Sequence, residues 1–515
     1  MSVKVLIGQK QYVCRKDTLI SDFLLSNELL LAMPCGGGGK CGKCKIQAKG
    51  GLSQITAAEK RLLSDSELAS GIRLACETRI VGECTLGIYQ HSDADIVIDG
   101  IGDIGFSSPR YRECGLAIDI GTTTIAMKLF DNKQQLAAET SLNPQERFGA
   151  DVISRISRSL GGGAEEIKSV TVSGINKMIS SICSKANIVP CQIEHVVITG
   201  NTAMLYLITG ECPDSLSHLP FAASRLFGEY VKAEDIGLIL PGQVPVYLTR
   251  CLAAFIGGDI SSAIIASGML ENSESSLLVD VGTNGEMALW HDGQLICCST
   301  AAGPAFEGAE ISCGINGERG AIDKIWTEKE NVFAFSVIGG GIPRGICGSG
   351  IIDAVSVLLQ EGFIDSSGAF DIDLLNHKDR LLMVNEMPAC LITEGIYVTQ
   401  KDVRMVQLAK SAICSGIDTM LNKLNISPEV IKTLYLAGGF GNYLNISSAA
   451  SIGLLPAGLE KKTKVIGNAA LQGAAMTLTN SNITEGELLK NIPLTVLDLG
   501  ADPEFMDNYI ENMSF

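Results

Sequence analysis

The sequence predicts an α/β protein that consists of a small β-grasp domain followed by a larger domain with two related halves. Three observations support this prediction. A glycine-rich loop near the N-terminus carries three closely spaced cysteines, a strand–turn–strand segment occurs twice in the rest of the chain, and 515 residues are too many for one hydrophobic core. We therefore place the first domain at residues 1–92, a linker at 93–113 and the duplicated domain at 114–515.

The composition excludes several classes of protein. The net charge of −17 argues against a nucleic-acid partner, because phosphate binding requires clustered Lys and Arg side chains. No run approaches the roughly 18 apolar residues of a membrane span, and the N-terminus lacks the apolar stretch of a signal peptide. We therefore expect no membrane partner and a cytoplasmic location. In such a chain the 17 cysteines are expected to be metal ligands and buried small residues rather than a disulfide framework.

The first domain has the outline of a β-grasp fold. Residues 2–14 form two short β-type runs that suit a hairpin, and residues 18–32 carry apolar side chains at roughly helical spacing. A glycine- and cysteine-rich loop follows at 35–44, and residues 84–90 close the domain as a strand. Hairpin, helix, loop and final strand together predict the fold.

Four cysteines in this domain, Cys35, Cys41, Cys44 and Cys76, have the spacing C-x5-C-x2-C-x31-C. Three thiolates on one loop and a fourth from a distant segment provide the two ligands that each iron of a [2Fe–2S] cluster needs. The loop glycines allow the backbone to wrap closely and to point N–H groups at the sulfurs. The spacing resembles that of plant-type and vertebrate-type ferredoxins, and residues 73–78 (RLACET) resemble the segment that supplies their last ligand.

Two alternatives remain open for these cysteines. The same four residues are a candidate zinc site, although zinc motifs usually contain two C-x2-C pairs and only one is present. Cys84 is the rival of Cys76 for the position of the fourth ligand, whereas Cys14 is expected to be a core residue.

The large domain contains an internal repeat. Residues 116–131 align without a gap to residues 277–292, so that Asp119 matches Asp280, and each copy predicts a strand, a tight turn and a second strand. Either segment alone suits an ordinary β-hairpin. Two such hairpins facing each other would clamp a polyphosphate, with the aspartates near Mg2+ and its waters. The predicted phosphate-binding residues are Gly121, Thr122, Thr123, Gly282, Thr283, Asn284 and Gly285.

Three further segments complete a nucleotide-binding pattern. Residues 434–441 are an apolar strand that ends in a glycine turn, which suits an adenine and a ribose lying against the backbone. Residues 253–266 and 466–476 are rich in small side chains and predict helices that can pack closely together. The predicted adenosine-binding residues are Gly438, Gly439 and Phe440.

The order of these segments resembles that of the actin/sugar kinase/Hsp70 superfamily of ATP-binding domains. The resemblance implies two RNase-H-like halves, at about 114–275 and 276–480, that close over ATP and are followed by a C-terminal extension. It also implies that Asp119 and Asp280 position Mg2+ and the attacking water during hydrolysis. Asp259 is a further candidate for orienting this water, with helix capping as the alternative role.

The combination of the two domains resembles the reductive activators of corrinoid-dependent methyltransferases. The resemblance rests on the loop CGGGGKCGKC, the paired D-x-G-T hairpins and the segments at 198–204 and 300–314. It implies that the [2Fe–2S] cluster passes an electron to the inactive Co(II) corrinoid of a partner protein and regenerates Co(I), while ATP is hydrolysed. It further implies a low-potential electron donor, either reduced ferredoxin or a flavodoxin-like protein, and leaves a monomer and a homodimer both open.

The resemblance also suggests where the partner docks. We expect the 91–113 stretch to act as a tether that lets the cluster domain swing, and the large domain to serve as the dock. The predicted contact surface comprises Gly303, Pro304, Phe306 and Glu307. The alternative is that this segment is a turn that packs behind the second phosphate hairpin.

Two other functions remain as alternatives. One is an activator of a radical dehydratase or an aryl-CoA reductase, although such activators hold a four-iron cluster between subunits and have no ferredoxin domain. The other is a nucleotide-gated redox sensor or chaperone-like module that transfers no electron to a substrate protein.

Overall fold

A computed structural model of the chain describes residues 2–27, 29, 31, 33, 35–87, 100, 104–149, 151–308, 310–329, 332–384, 386–438 and 443–515. Within these residues the strands form three six-stranded sheets and two three-stranded sheets. The first six-stranded sheet lies in residues 2–87, and the other sheets lie in the large domain. None of the helices in these residues combines the length and the apolar character needed to cross a bilayer.

The elements of the first domain are β1 (Ser2–Ile7), β2 (Lys10–Arg15), β3 (Thr18–Leu19), α1 (Ile20–Ser26), β4 (Lys45–Leu52), α2 (Ala57–Leu62), α3 (Asp65–Ser70), β5 (Ile72–Leu74) and β6 (Arg79–Gly87). The sheet has the order β2-β1-β6-β4-β5, with β1 parallel to β6 and antiparallel to β2. Inward-facing side chains of the strands meet Phe23 and Leu24 of α1 in one core. The hairpin and the last strand therefore meet in the middle of the sheet, as a β-grasp fold requires.

The elements of the first half of the large domain are β7 (Cys114–Ile120), β8 (Thr124–Phe130), β9 (Gln135–Leu142), α4 (Val152–Arg158), α5 (Ala164–Lys185), β10 (Ile193–Gly200), α6 (Thr202–Thr209), β11 (Glu229–Lys232), α7 (Ala233–Ile236), β12 (Pro245–Leu248) and α8 (Gly258–Ser267). The sheet has the order β11-β12-β10-β7-β8-β9. β7 is apolar along almost its whole length, because it lies in the interior of the sheet and is buried on both faces.

The elements of the second half are β13 (Ser276–Val281), β14 (Gly285–His291), β15 (Gln294–Thr300), β16 (Ala321–Lys329), β17 (Val332–Val337), β18 (Gly345–Ile346), α9 (Gly348–Gln360), α10 (Ile372–His377), β19 (Leu381–Val384), β20 (Met387–Thr393), β21 (Ile396–Thr399), α11 (Gln400–Leu424), β22 (Thr433–Ala437), α12 (Ile446–Ser451), β23 (Thr463–Gly467), α13 (Ala469–Thr479), α14 (Glu485–Leu488), β24 (Leu494–Val496) and α15 (Pro503–Glu511). The main sheet has the order β23-β22-β13-β14-β15-β24. Near the C-terminus, β24 joins this sheet beside β15, and α15 packs against α11.

The two large sheets share one topology. In the first, the antiparallel strands β7, β8 and β9 are extended by the parallel strands β10 and β12. In the second, the antiparallel strands β13, β14 and β15 are extended by the parallel strands β22 and β23. This equivalence confirms the predicted fold class, a β-grasp domain followed by a duplicated, RNase-H-like α/β domain. Asp119 and Asp280 lie at equivalent ends of β7 and β13.

The helices α8 and α13 link the two halves. α8 packs on the sheet of the second half through Ile260 and Ile264, although it precedes that sheet in sequence. α13 packs on the sheet of the first half through Leu471 and Ala475, although it follows the strands of the second half. The two helices also pack against each other, as their small side chains predict. Each sheet is therefore covered by a helix from the other half: α8 of the first half covers the second sheet, and α13 of the second half covers the first.

Part of the predicted linker packs on the large domain. Tyr111 is buried and donates its hydroxyl hydrogen to the carbonyl of Asp131 (2.9 Å), and Arg110 Nε donates to the carbonyl of Thr477 in α13 (2.7 Å). The prediction of a free tether at 91–113 is therefore wrong for residues 104–113, because their apolar and guanidinium side chains are used in packing. Residues 91–99 and 101–103 lie outside the described residues.

We expect Gly473→Ala to destabilise the large domain, because an added Cβ would overlap the backbone of Ser262 at the crossing of α8 and α13. Overpacking of this kind typically costs about 1–3 kcal/mol of unfolding free energy, which urea unfolding of the full chain would measure. Gly486→Ala in α14 is the matched control, since the nearest atom to its added Cβ is 4.0 Å away. Equal stability of the two variants would contradict a close helix crossing.

Candidate cluster site and nucleotide cleft

The four predicted cluster cysteines come together as two pairs. The sulfurs of Cys35 and Cys41 are 3.3 Å apart, and those of Cys44 and Cys76 are also 3.3 Å apart. The first three residues lie on the loop between α1 and β4, and Cys76 lies on the turn between β5 and β6. In the described residues, no three His, Cys, Asp or Glu side chains are arranged as ligands to one metal ion. Two close pairs of sulfurs fit two metal centres with two thiolates each.

Backbone N–H groups of the cluster loop favour the ionised form of Cys35. Burial would raise the pKa of the Cys35 thiol, but hydrogen bonds from the backbone N–H groups of Lys40, Cys41 and Gly38 leave this pKa below its ordinary value. Gly39 has a φ of +62°, and a Cβ there would overlap the carboxylate of Glu77. The glycines thus let the loop fold tightly around the sulfurs, and the four residues fit a cluster held by thiolates.

A buried ion pair supports the turn that carries Cys76. The Glu59 side chain is fully buried, and its carboxylate accepts hydrogen bonds from Arg73 Nε (2.7 Å), Leu74 N (3.1 Å) and Thr78 Oγ1 (2.9 Å). Burial alone would raise the pKa of Glu59, but the bonds from Arg73 and from backbone N–H groups lower it to about 2. The carboxylate therefore anchors both sides of the turn in its ionised form.

The rival fourth ligand lies elsewhere. Cys84 is buried on β6 opposite Val5, and burial together with the neighbouring Cys14 raises the pKa of its thiol to about 11. Both residues belong to the hydrophobic core of the first domain. The geometry thus places Cys76, and not Cys84, beside a cysteine of the cluster loop.

A cleft of about 310 Å³ lies between the two halves of the large domain. Residues from both repeat hairpins, from α8, from the end of β22 and from the start of α13 line it. The residues that line the cleft include Asp119, Gly121, Thr122, Thr123, Asn201, Asp259, Asp280, Gly282, Thr283, Asn284, Glu286, Phe306, Glu307, Gly438 and Asn468.

The two hairpins form tight turns on opposite sides of this cleft. The N–H of Gly121 donates to the carbonyl of Thr124 (2.9 Å), and the N–H of Gly282 donates to the carbonyl of Asn284 (3.0 Å). Gly285 is the exception among the predicted phosphate-binding residues. It is buried at the start of β14, where a Cβ would lie 2.8 Å from Ile413 of α11, so it serves packing and does not line the cleft.

Carboxylates concentrate at the base of the cleft. Burial, together with the charges of Asp259 and Asp280, raises the pKa of Asp119 to about 7, although Asn468 Nδ2 donates to its carboxylate (3.0 Å). Burial and the charge of Asp259 raise the pKa of Asp280 to about 7, and burial raises that of Asp259 to about 6. Burial and both neighbouring aspartates raise the pKa of Glu286 well above its usual range. A divalent cation would neutralise this cluster.

The predicted adenosine turn follows β22. Gly438 has a φ of +94°, and a Cβ there would lie 2.7 Å from Asp280 Oδ1, so only glycine fits between β22 and the second hairpin. Gly439 and Phe440 lie outside the described residues.

Comparison with known proteins identifies domains of one family along the chain. Residues 274–515 match the C-terminal domain of RACo, the ASKHA domain, and residues 114–272 match the RACo middle region. Residues 5–81 match the 2Fe-2S iron-sulfur cluster binding domain. The chain belongs to the RACo family. The expected resemblance to reductive activators of corrinoid proteins is thereby confirmed.

Individual relatives extend over nearly the whole length of this RACo-family chain. The corrinoid activation enzyme RamQ of Eubacterium limosum is 29% identical over 97% of this chain and 96% of its own. The [Co(II) methylated amine-specific corrinoid protein] reductase of Methanosarcina barkeri is 25% identical over 78% of this chain and 77% of its own. A solved structure of a reductive activator for corrinoid, iron-sulfur protein is 27% identical, with a TM-score of 0.71, and covers 100% of this chain and 98% of its own.

Several polar residues of the cleft were not predicted from the sequence, among them Asn201, Asn468 and Glu286. Asn201 caps α6 and donates from Nδ2 to Thr122 Oγ1 (3.0 Å), and Asn468 caps α13 and binds Asp119. Both asparagines precede a helix within segments that the sequence analysis singled out, so their capping position was an available signal. Glu286 is a charged residue inside the otherwise apolar strand β14, which is also an unusual feature.

The predicted docking surface is wrong for Phe306. Its side chain is 2% exposed and packs in the core of the second half, so it cannot meet a partner in this conformation. Gly303 donates its N–H to the carbonyl of Thr283 (3.0 Å), and Pro304 and Glu307 are half-buried beside it. In this RACo-family chain, residues 303–307 therefore form a turn behind the second phosphate hairpin. This is the alternative that the sequence analysis left open.

We expect Arg73→Gln to destabilise the first domain, because it leaves the Glu59 carboxylate buried without its cation. Removing one partner of a buried pair costs about 3–5 kcal/mol, which urea unfolding would measure, and the iron content after anaerobic reconstitution should fall. The control is Arg79→Gln, since Arg79 is exposed and its guanidinium donates to the backbone carbonyl of Asp17 (2.7 Å). If both variants keep full stability and iron content, the ion pair does not support the cluster turn.

Proposed function

We propose that this chain is an ATP-dependent reductive activator that passes one electron from a [2Fe–2S] cluster to the Co(II) corrinoid of a partner protein. The proposal is carried by one observation: four paired thiols and a carboxylate-rich nucleotide cleft occur in one RACo-family chain, whose relatives are named for corrinoid activation. The electron balance is one for one, since the reduced cluster loses an electron and Co(II) becomes Co(I). A reduced ferredoxin or flavodoxin-like protein would return the electron to the cluster.

The pairing of the thiols supports a two-iron cluster. Cys35 and Cys41 would bind one iron, and Cys44 and Cys76 the other, because the two sulfurs of each pair are 3.3 Å apart. A single zinc ion would require all four sulfurs around one point. When bound, the cluster would supply a one-electron carrier, and the loop would supply the N–H groups that stabilise its sulfurs.

The cleft residues support binding of ATP with Mg2+. The turns at Gly121 and Gly282 would approach the phosphates, and the hydroxyl groups of Thr123 and Thr283 would donate to them. Asp119 and Asp280 would hold Mg2+ largely through its waters, as Mg2+ commonly prefers. Asp259 would orient the attacking water. It already accepts the N–H of Ile260 (2.8 Å), so a capping role coexists with this one.

We expect the anaerobic protein to show [2Fe–2S] absorbance with about two irons per chain. Cys41→Ala and Cys76→Ala should each lose this absorbance, because each removes one thiolate of a pair, and iron analysis would quantify the loss. Cys84→Ala is the matched control and should keep the cluster. A variant set in which Cys84→Ala loses the cluster and Cys76→Ala keeps it would reverse the assignment of the fourth ligand.

We expect the anaerobic, reduced protein to convert a Co(II) corrinoid protein to Co(I) only when ATP and Mg2+ are present. Asp119→Asn should slow ATP hydrolysis and Co(I) formation by more than about tenfold, because it removes a charge that positions Mg2+. The cluster spectrum should stay intact, since the cluster lies in another domain. Co(I) absorbance and phosphate release are the measurements.

The control for this variant is Asp292→Asn, at an exposed turn of the second repeat away from the cleft, which should behave as wild type. Steady ATP hydrolysis without Co(I) formation from corrinoid proteins of several methyltransferase systems would instead favour the nucleotide-gated sensor.

A further inference from the structure

The cluster loop of the first domain rests on both halves of the large domain. Lys43, between two cluster cysteines, donates from Nζ to the carbonyl of Ile311 in the second half (3.1 Å). On the other side, Gly36 has a φ of +59°, and a Cβ there would lie 3.0 Å from the carbonyl oxygen of Phe148 in the first half. The loop that would hold the cluster therefore bridges the two halves.

Each contact point lies shortly after the third strand of its half and is tied to a phosphate hairpin. In the first half, Asn143 donates from its backbone N–H to the carbonyl of Thr123 and from Nδ2 to the carbonyl of Gly121, both at 2.8 Å. The 3-10 helix Pro144–Phe148 follows directly and ends at the contact with the cluster loop. The first hairpin is thus connected to Phe148 through only a few residues.

The corresponding segment of the second half begins at the 3-10 helix Pro304–Glu307 and continues to Ile311. Glu307 Oε1 accepts a hydrogen bond from Thr283 Oγ1 (2.7 Å) of the second hairpin. Beyond Ile311 the chain is held in place, because Ser312 donates from its backbone N–H (2.8 Å) and its hydroxyl (3.1 Å) to the buried carboxylate of Asp402. The part between Glu307 and Ile311 therefore joins the cleft to the contact with Lys43.

Glu307 is also connected to the first half. Its Oε2 accepts a hydrogen bond from Thr123 Oγ1 (3.1 Å), so one carboxylate bridges both phosphate hairpins. Glu307 is thus bonded to the hairpins of both halves.

This carboxylate occupies the hydroxyl donors that a terminal phosphate would use. A phosphate and a carboxylate are both anions, and two like charges a few ångströms apart in a cleft of low dielectric repel strongly. The phosphate and Glu307 therefore compete for Thr123 and Thr283, and the binding of one displaces the other.

We propose that Glu307 senses the terminal phosphate of the bound nucleotide, and that its displacement releases the cluster domain from the large domain. The inference rests on the proposed function, since it assigns ATP to the cleft and a cluster to the loop. In this structure the loop is docked on Ile311 and Phe148. When the phosphate takes the two threonine hydroxyls, Glu307 moves away, Ile311 shifts with it, the Lys43 contact is lost, and the loop becomes free to meet a partner protein.

The test is hydrogen–deuterium exchange of the anaerobic full chain with its cluster, with and without Mg2+ and a non-hydrolysable ATP analogue. In the wild type, the analogue should raise exchange at 35–44 and 310–311 by about fivefold or more. Glu307→Ala should show this fast exchange without nucleotide and respond no further. It should also bind the analogue about tenfold more tightly, because the competing carboxylate is gone.

A second variant separates the docking contact from the sensor. Lys43→Met should free the cluster loop without nucleotide, while Lys40→Met, an exposed lysine of the same loop, should behave as wild type. The inference is overturned if the bound analogue leaves exchange unchanged in the wild type, or if Glu307→Ala binds the analogue more weakly than the wild type.

The outcome is independent of the test of the proposed function. Nucleotide-dependent release of the cluster loop without Co(I) formation would support the role of Glu307 and refute the proposed reductive activation. ATP-dependent Co(I) formation with unchanged hydrogen–deuterium exchange would support reductive activation and refute the role of Glu307.

Discussion

The close crossing of α8 and α13 is the constraint on which the rest of the large domain depends. The two helices meet where Gly473 leaves room for the backbone of Ser262, and each helix rests on the sheet of the opposite half. Both helices begin in the cleft, α8 with Asp259 in its first turn and α13 with Asn468 as its cap. Because Asn468 binds Asp119 across the halves, the crossing fixes the separation of the two sides of the nucleotide site. The same helix crossing therefore sets both the relative position of the halves and the geometry of the cleft.

The charges of the two sites are balanced in different ways. In the first domain the Glu59 carboxylate is paired with Arg73 and has a low pKa, so this part of the structure is complete without a ligand. In the cleft, burial together with the charges of neighbouring carboxylates raises the pKa values of Asp119 and Asp280 to about 7, and burial raises the pKa of Asp259 to about 6. At neutral pH these groups are partly protonated, and a cation that binds must replace those protons. The cleft carboxylates are therefore suited to a nucleotide that brings Mg2+, whereas the carboxylate of the cluster turn is already paired with Arg73.

The features that the sequence predicted correctly are those that follow from local patterns. Each repeated hairpin, each small-residue helix and the loop with three of the four cysteines occupies one short stretch, and each is found at the expected place in the fold. The errors concern burial, which depends on residues far away in sequence. Phe306 looked like an exposed aromatic contact but fills the second core, and Tyr111 looked like part of a tether but packs beside α13. The position of Glu307 between the hairpins could not be predicted either, because it depends on how the two halves face each other.

The contacts that the structure shows between the cluster loop and the large domain are weak enough for the proposed control by a nucleotide. Among the contacts described here, the loop is held by one hydrogen bond from Lys43 and by the close approach of Gly36 to Phe148. A hydrogen bond of this kind contributes only about 0.5–3 kcal/mol, the upper part of the range applying to charged donors. A ligand shifts such an equilibrium by no more than the difference in its affinity for the two states. Phosphate binding gains charge-assisted bonds to the two threonines only where Glu307 has left, so its preference for the released state is of the same size as the contact that it breaks. A strongly held domain would need more binding energy than this exchange supplies, and a weaker contact would not keep the loop docked in the absence of nucleotide.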